Sequence, residues 1–126
     1  MPASYSYRWY EVPVGYGEDA GNGVGVSGPG SRRRAACVWD PVRRESVLFG
    51  GFTGASTYLQ DTWVYRAGIW RDVTPGSGNP PAREDHTLVW DPVNERVLLW
   101  GGYDSGGARA DMWAWDGACF ARAVSG

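Results

Sequence analysis

The stretch DPVRRESVLFGG at residues 40–51 returns as DPVNERVLLWGG at residues 91–102. The copy reaches beyond these lines. VWDPV at 38–42 recurs at 89–93, Gly50 and Gly51 recur as Gly101 and Gly102, and DTW at 61–63 recurs as DMW at 111–113. Trp70 in GIWRDV is matched by Phe120 in ACFARAV. The offset is 51 up to the glycines and 50 after them, so one residue is lost in the loop between. A partial third copy opens the chain, where YRWYEV at 7–12 resembles GIWRDV at 68–73. With 126 residues the chain is at most one small domain, and a self-similar unit of this length is one supersecondary element stacked on its neighbour.

Each unit reads as four short strands. AACVW ends at Asp-Pro, which opens a turn because Asp caps it and Pro presets the first central dihedral. In the second copy Asn94 is expected to take the left-handed conformation of that turn. SVLFGG and VLLWGG are continuous apolar runs, expected to be buried on both faces. TWVYR and MWAWD are aromatic-rich and suit a third strand. Tight turns at Ala67 and Gly68, or Gly117 and Ala118, lead to IWRDV or FARAV. No helical period occurs anywhere, and four antiparallel strands repeated every fifty residues make a propeller blade.

An Arg-led first strand, a second strand ending in Gly-Gly, an aromatic third strand and a Trp in the fourth resemble the kelch family. The nearer likeness is to the kelch-like repeats of bacterial proteins, with PPAR, His, Asp-Pro, Gly-Gly and then Asp-Thr-Trp in this order. The resemblance covers residues 31–126 as two full repeats, with 5–13 as a last strand. It implies an all-β fold: two four-stranded antiparallel kelch-type β-propeller blades plus one extra N-terminal strand, an incomplete propeller. The expected divisions are 1–14, the last strand of a preceding incomplete blade; 15–30, a Gly-rich loop; 31–75, the first blade; and 76–126, the second.

Structural roles follow. Gly50, Gly51, Gly101 and Gly102 allow positive φ and close backbone approach. Trp63, Trp70, Trp113, Phe120 and Trp9 are expected to pack between blades, with an aromatic surface for sugar stacking as the alternative. Trp39, Trp90, Trp100 and Trp115 are expected in the core.

Most apparent chemistry dissolves. GVGVSG at 23–28 is a literal GxGxxG, but a dinucleotide site needs a strand before it and a helix after it; PGSRRR follows instead. His86 is the only histidine. With Glu84 on its face and Asp85 on the other it makes no metal set, and it is expected to be structural, near the propeller axis. Galactose oxidase shares this propeller, yet its copper site needs more than one His. No GxSxG elbow is present, and Cys37 and Cys119 lie on different strand types, too far apart radially for a disulfide. The net charge of −2, from 12 Arg and 14 acids with no Lys, gives no field for nucleic acid or an anionic membrane. No apolar run has membrane-spanning length, and the N-terminus lacks a signal-peptide pattern.

Topology places the blade-joining loops and the loops between second and third strands on one face. Arg32, Arg33, Arg34, Arg83, Asp85, Tyr103, Asp104 and Arg109 fall there as the candidate binding residues. Arg suits carboxylate recognition. Propellers close with roughly four to eight blades, so two blades and a quarter belong to a fragment or to a subunit that self-associates. The expected function is a non-enzymatic interaction module for protein or glycan, with no metal and no cofactor. The alternatives are the propeller portion of a galactose-oxidase-like secreted enzyme with its catalytic residues elsewhere, and a purely structural repeat.

Overall fold

The computed structural model describes residues 28–54 and 56–123. The expected strand at 5–13, Trp9 and most of the Gly-rich loop lie outside the described residues. The remainder is all β. The first sheet is an antiparallel meander of β1 (Ala36–Asp40), β2 (Glu45–Phe52), β3 (Tyr58–Arg66) and β4 (Ile69–Asp72). The second comprises β5 (Thr87–Asp91), β6 (Arg96–Trp100), β9 (Met112–Trp115) and β10 (Phe120–Arg122), in that spatial order. A small hairpin of β7 (Tyr103–Asp104) and β8 (Gly107–Ala108) sits between β6 and β9. These are two incomplete-propeller blades, stacked face to face and not closed into a ring.

The turns show why the Asp-Pro copies matter. Asp40 Oδ1 accepts from the backbone N–H groups of Val42 and Arg43 at 3.0 and 2.9 Å, and Asp91 Oδ1 accepts from Val93 and Asn94 at 3.1 and 3.4 Å. The left-handed residue of the second turn is Glu95 (φ 54°) rather than the expected Asn94, matching Arg44 (φ 59°) in the first. Asn94 instead donates its side-chain N–H to Asp91 Oδ2 at 3.0 Å, a bond that needs no special backbone. Ala67 and Gly68 are both left-handed, as a two-residue hairpin of type I′ demands.

The core is the seam between the sheets. Val47, Phe49 and Val64 of the first sheet meet Leu88, Val97, Leu99 and Trp115 of the second. Phe120 packs edge-on against Phe49, with centroids 5.5 Å apart, and lies 4.7 Å from Trp115. The opposing residues are not repeat-equivalent. Val47 and Phe49 correspond to Leu98 and Trp100, which lie on the outward face of the second sheet, so the sheets stack in the same sense, front to back.

That geometry corrects several expectations. β2 and β6 are not buried on both faces. In β6, Val97 and Leu99 are buried while Leu98 is half-buried and Trp100 exposed, because among the described residues only one face meets another sheet. Trp39 (54% exposed) and Trp100 (37%) are therefore outside the core, whereas Trp115 is fully buried. Trp70 does not lie between the two described sheets. It is half-buried on the outer face of the first, against Tyr65 at 5.1 Å, just as Phe120 pairs with Trp115 inside the seam.

Candidate functional site

The two sheets share an inner rim, built from the chain entering β1 and β5 and the chain leaving β2 and β6. Arg33 and Phe52 exchange backbone hydrogen bonds of 3.0 and 2.9 Å, and the equivalent pair Glu84 and Tyr103 exchange bonds of 2.9 and 2.8 Å. Gly51 N–H donates to the Arg83 carbonyl at 2.9 Å, and Asp85 N–H donates to the Arg34 carbonyl at 3.0 Å, which joins the two rims into one. Arg34 and Asp85 are themselves equivalent and both left-handed, at φ 58° and 59°.

The candidate binding residues divide here. Arg32 and Arg83 do not face solvent. Arg83 is fully buried, with both terminal nitrogens on Asp111 at 2.7 Å and one also on the Gly101 carbonyl at 3.0 Å. Arg32 repeats the arrangement, on Asp61 at 2.6 and 2.9 Å and on the Gly50 carbonyl at 3.0 Å. Trp63 and Trp113 donate their indole N–H groups to the same two carboxylates, each at 2.8 Å. Asp-Thr-Trp and Asp-Met-Trp are thus acceptor-and-donor units that fasten the third strand to the loop before the first. Arg83, together with the Trp113 indole, holds the Asp111 carboxyl well below the usual carboxylate range. Burial opposes the same effect at Asp61, but Arg32 and Trp63 outweigh it. Both arginines are spent on structure, which corrects their placement as ligands.

The other six candidates are brought together on the rim. Arg33 lies over the Phe52 ring at 5.1 Å, and Phe52 packs edge-on against Tyr58 at 5.0 Å. Arg34 is 54% exposed at its side chain and reaches Glu84 at 3.4 Å. Arg109 donates to Asp104 through Nε at 2.6 Å and also pairs through Nη2. The Gly106 N–H, ahead of Arg109, holds the Asp104 carboxyl below its ordinary value. Asp85 is exposed, and Tyr103 is 52% exposed. The rim is a mixed surface of two aromatic edges, three cations (Arg33, Arg34, Arg109) and two acids (Asp85, Asp104), with Glu84 buried and paired with Arg34. Phe52, Tyr58 and Glu84 were missed in the sequence; their signal was the doubled bridge, legible only once Phe52 aligns with Tyr103 across the repeat.

His86 sits beneath this rim, one residue before β5. Its Nε2–H donates to the Phe49 carbonyl at 2.7 Å, and its ring packs edge-on to Phe49 at 5.3 Å. The other nitrogen, Nδ1, is buried with no hydrogen-bond partner. Burial lowers its pKa to about 4, the Phe49 carbonyl opposing and Arg83 adding to the effect. A neutral imidazole bonded to a carbonyl across the seam is a structural fastener. Among the described residues no group of three or more His, Cys, Asp or Glu could hold a metal ion. Cys37 and Cys119 are both free and exposed. No helix of the described residues is long and apolar enough to cross a membrane.

No family profile matches the chain. A curated protein from Emericella nidulans, tRNA wybutosine-synthesizing protein 4, is 38% identical over 74 residues, which is 55% of this chain and 7% of that protein. This chain therefore spans a small part of its relative. The expectation that the chain is non-enzymatic is corrected by this match, since the relative is named as a wybutosine-synthesizing protein.

Proposed function

We propose that this chain is a pair of kelch-type β-propeller blades that offers its inner rim to a protein partner, in the service of an enzyme of the kind the relative's name describes. One observation carries the reading: the doubled bridge of Arg33 with Phe52 and Glu84 with Tyr103 gathers Arg33, Arg34, Asp85, Tyr103, Asp104 and Arg109 on one edge. The order of motifs along both copies supports the kelch type. The relative gives no support to a galactose-oxidase-like protein.

The chemistry of the rim favours a protein over RNA. Binding to a phosphate backbone needs cations that can trade counterions for phosphates. Here Arg34 and Arg109 each face an acid, Arg33 lies on an aromatic ring, and the net charge is −2. Exposed aromatics beside Arg are what protein interfaces use as anchors. Photo-crosslinking from a reactive phenylalanine at position 103 tests this. The expected result is a cross-linked protein species that Arg34→Glu abolishes, with none from position 71 on the outer strand. Fluorescence anisotropy with tRNA is the second arm. Saturable binding of tRNA that weakens steeply with salt, with no protein adduct, would replace this reading with an RNA-binding one.

A further inference from the structure

Within the chain, the front of the first sheet is closed by the back of the second. Val47 is 1% exposed and Phe49 is 0%. The repeat carries the same front onto the second sheet, where Leu98 stands for Val47, Trp100 for Phe49, Ala114 for Val64 and Val89 for Val38. No described element covers it. Trp100 is 37% exposed and its neighbour Met112 is 38% exposed. Pairing of Val89 with Leu98 and of Leu98 with Ala114 makes these residues one contiguous apolar stripe; Ala114 is buried, Val89 and Leu98 are half-buried, and Trp100 with Met112 is the exposed part.

The seam already present specifies what fits that stripe. Phe49 is buried in a seam that holds Leu88, Leu99 and Trp115, with Trp90, Trp113 and Phe120 packed against that cluster and the Phe120 ring edge-on to Phe49. Their equivalents on the back of the first sheet are Cys37, Leu48, Trp63, Tyr65, Trp70 and Trp39; Trp63 is already buried within the chain, Cys37 and Trp39 are exposed, Leu48, Tyr65 and Trp70 are half-buried, and the aromatic pair Tyr65 with Trp70 reproduces Trp115 with Phe120. We infer that a second copy of this chain docks the back of its first sheet, through Trp39, Leu48 and Tyr65, onto the front of the second sheet around Trp100. The contact is head-to-tail, so each added copy again presents one front and one back, and growth ends in a ring where the rotation between copies closes and runs on as an open array where it does not. It does not depend on the rim binding any partner.

The second seam is weaker than the first. Cys37 stands in place of Leu88 and Ser46 in place of Val97, which removes apolar area. Ala35 stands in place of His86, so the imidazole–carbonyl bond has no counterpart. The association is therefore reversible.

Sedimentation equilibrium on the full chain tests it. The wild type is expected to associate with rising concentration. Trp100→Asp and Trp39→Asp each remove one side of the contact and are expected to weaken association at least tenfold, whereas Val93→Asp, on an 85% exposed turn residue, leaves it unchanged. Circular dichroism establishes that each variant folds, and Met112→Asp replaces Trp100→Asp if the latter does not. The decisive arm is the mixture. Trp100→Asp keeps an intact back and Trp39→Asp keeps an intact front, so together they form a one-to-one dimer that grows no further. A wild type that stays monomeric assigns the face to a partner of other sequence and overturns the inference. So does association indifferent to Trp100→Asp. Trp39→Asp that associates with itself as the wild type does, while Trp100→Asp does not, means front-to-front pairing and overturns it as well, and so does a mixture that remains monomeric.

Discussion

Arg83 and Asp111 form a bidentate ion pair with both bonds at 2.7 Å and the guanidinium wholly out of solvent. Its repeat counterpart, Arg32 with Asp61, has the same two-pronged geometry at the margin, with the carboxylate side chain 28% exposed. One sequence device thus sits in two dielectric environments. Removing one partner of a buried pair strands the other charge, which costs about 3–5 kcal/mol, whereas water can re-solvate Asp61 once Arg32 is gone. Arg83→Ala is expected to cost stability in that range and Arg32→Ala clearly less. Arg83→Lys also loses most of the effect, because an ammonium cannot span both oxygens. Denaturant unfolding of the three variants checks the order. Equal losses from Arg83→Ala and Arg32→Ala would contradict it.

His86 sets a pH window. Its folded pKa of about 4 lies below the ordinary value of 6.5, so between these values the unfolded chain binds the proton and the folded chain does not. Its stabilising contribution is complete above about 6.5, is lost as pH falls towards 4, and amounts to about 3 kcal/mol in all. Glu45 works in the opposite sense, since burial and then Asp40 hold its carboxyl above the ordinary value. Asp111, held low by Arg83, loses its contribution only at more acid pH. His86→Gln is expected to flatten the fall in stability between pH 6.5 and 4 while leaving the more acid loss in place. Urea unfolding across this range reads it directly; an unchanged slope would mean that the imidazole is not shielded in the fold.

The repeat made the four-strand units legible because turn chemistry is local. Asp-Pro, Gly-Gly and the Ala67 and Gly68 hairpin act within a few residues of themselves. Burial is not local. Phe49 and Trp100 occupy the same position in the repeat, and only the number of sheets stacked on each decides that one is 0% exposed and the other 37%. The same reasoning explains the errors at Arg32 and Arg83. Their partners lie 29 and 28 residues onward, so each Arg read alone has the look of a free ligand. The recurrence of Arg and then Asp-x-Trp at nearly the same spacing in both copies was the signal available for the pairing.

Phe49→Ala and Trp100→Ala form a matched pair that tests front-to-back stacking. Truncating a fully buried Phe costs about 3–5 kcal/mol through lost transfer energy and the cavity left behind. Among the described residues no sheet lies over Trp100 in the monomer, so Trp100→Ala is expected to cost under about 1 kcal/mol at protein concentrations too low for association. Trp70→Ala falls between, since its ring is half-buried against Tyr65. Thermal and chemical unfolding at low concentration rank the three, and a large loss from Trp100→Ala in the monomer would break the proposed equivalence.

Gly101 and Gly102 separate backbone strain from crowding. Both are left-handed, at φ 75° and 94°. A Cβ on Gly101 meets nothing within 4 Å, so Gly101→Ala carries only the dihedral cost of about 1–2 kcal/mol. A Cβ on Gly102 would lie 2.6 Å from the Glu84 carbonyl oxygen and 3.0 Å from the His86 backbone nitrogen. Those atoms are backbone and cannot swing aside, and the same carbonyl accepts the Tyr103 N–H at 2.8 Å. Gly102→Ala must therefore open the bridge between Glu84 and Tyr103 and shift His86 away from Phe49. The expected outcome is a loss of stability well beyond that of Gly101→Ala, with faster amide exchange at Tyr103 and Glu84 in the variant. Hydrogen exchange read by NMR decides it. Equal protection at both amides in the two variants would show that the rim tolerates the added methyl and that the glycine is needed for its dihedral alone.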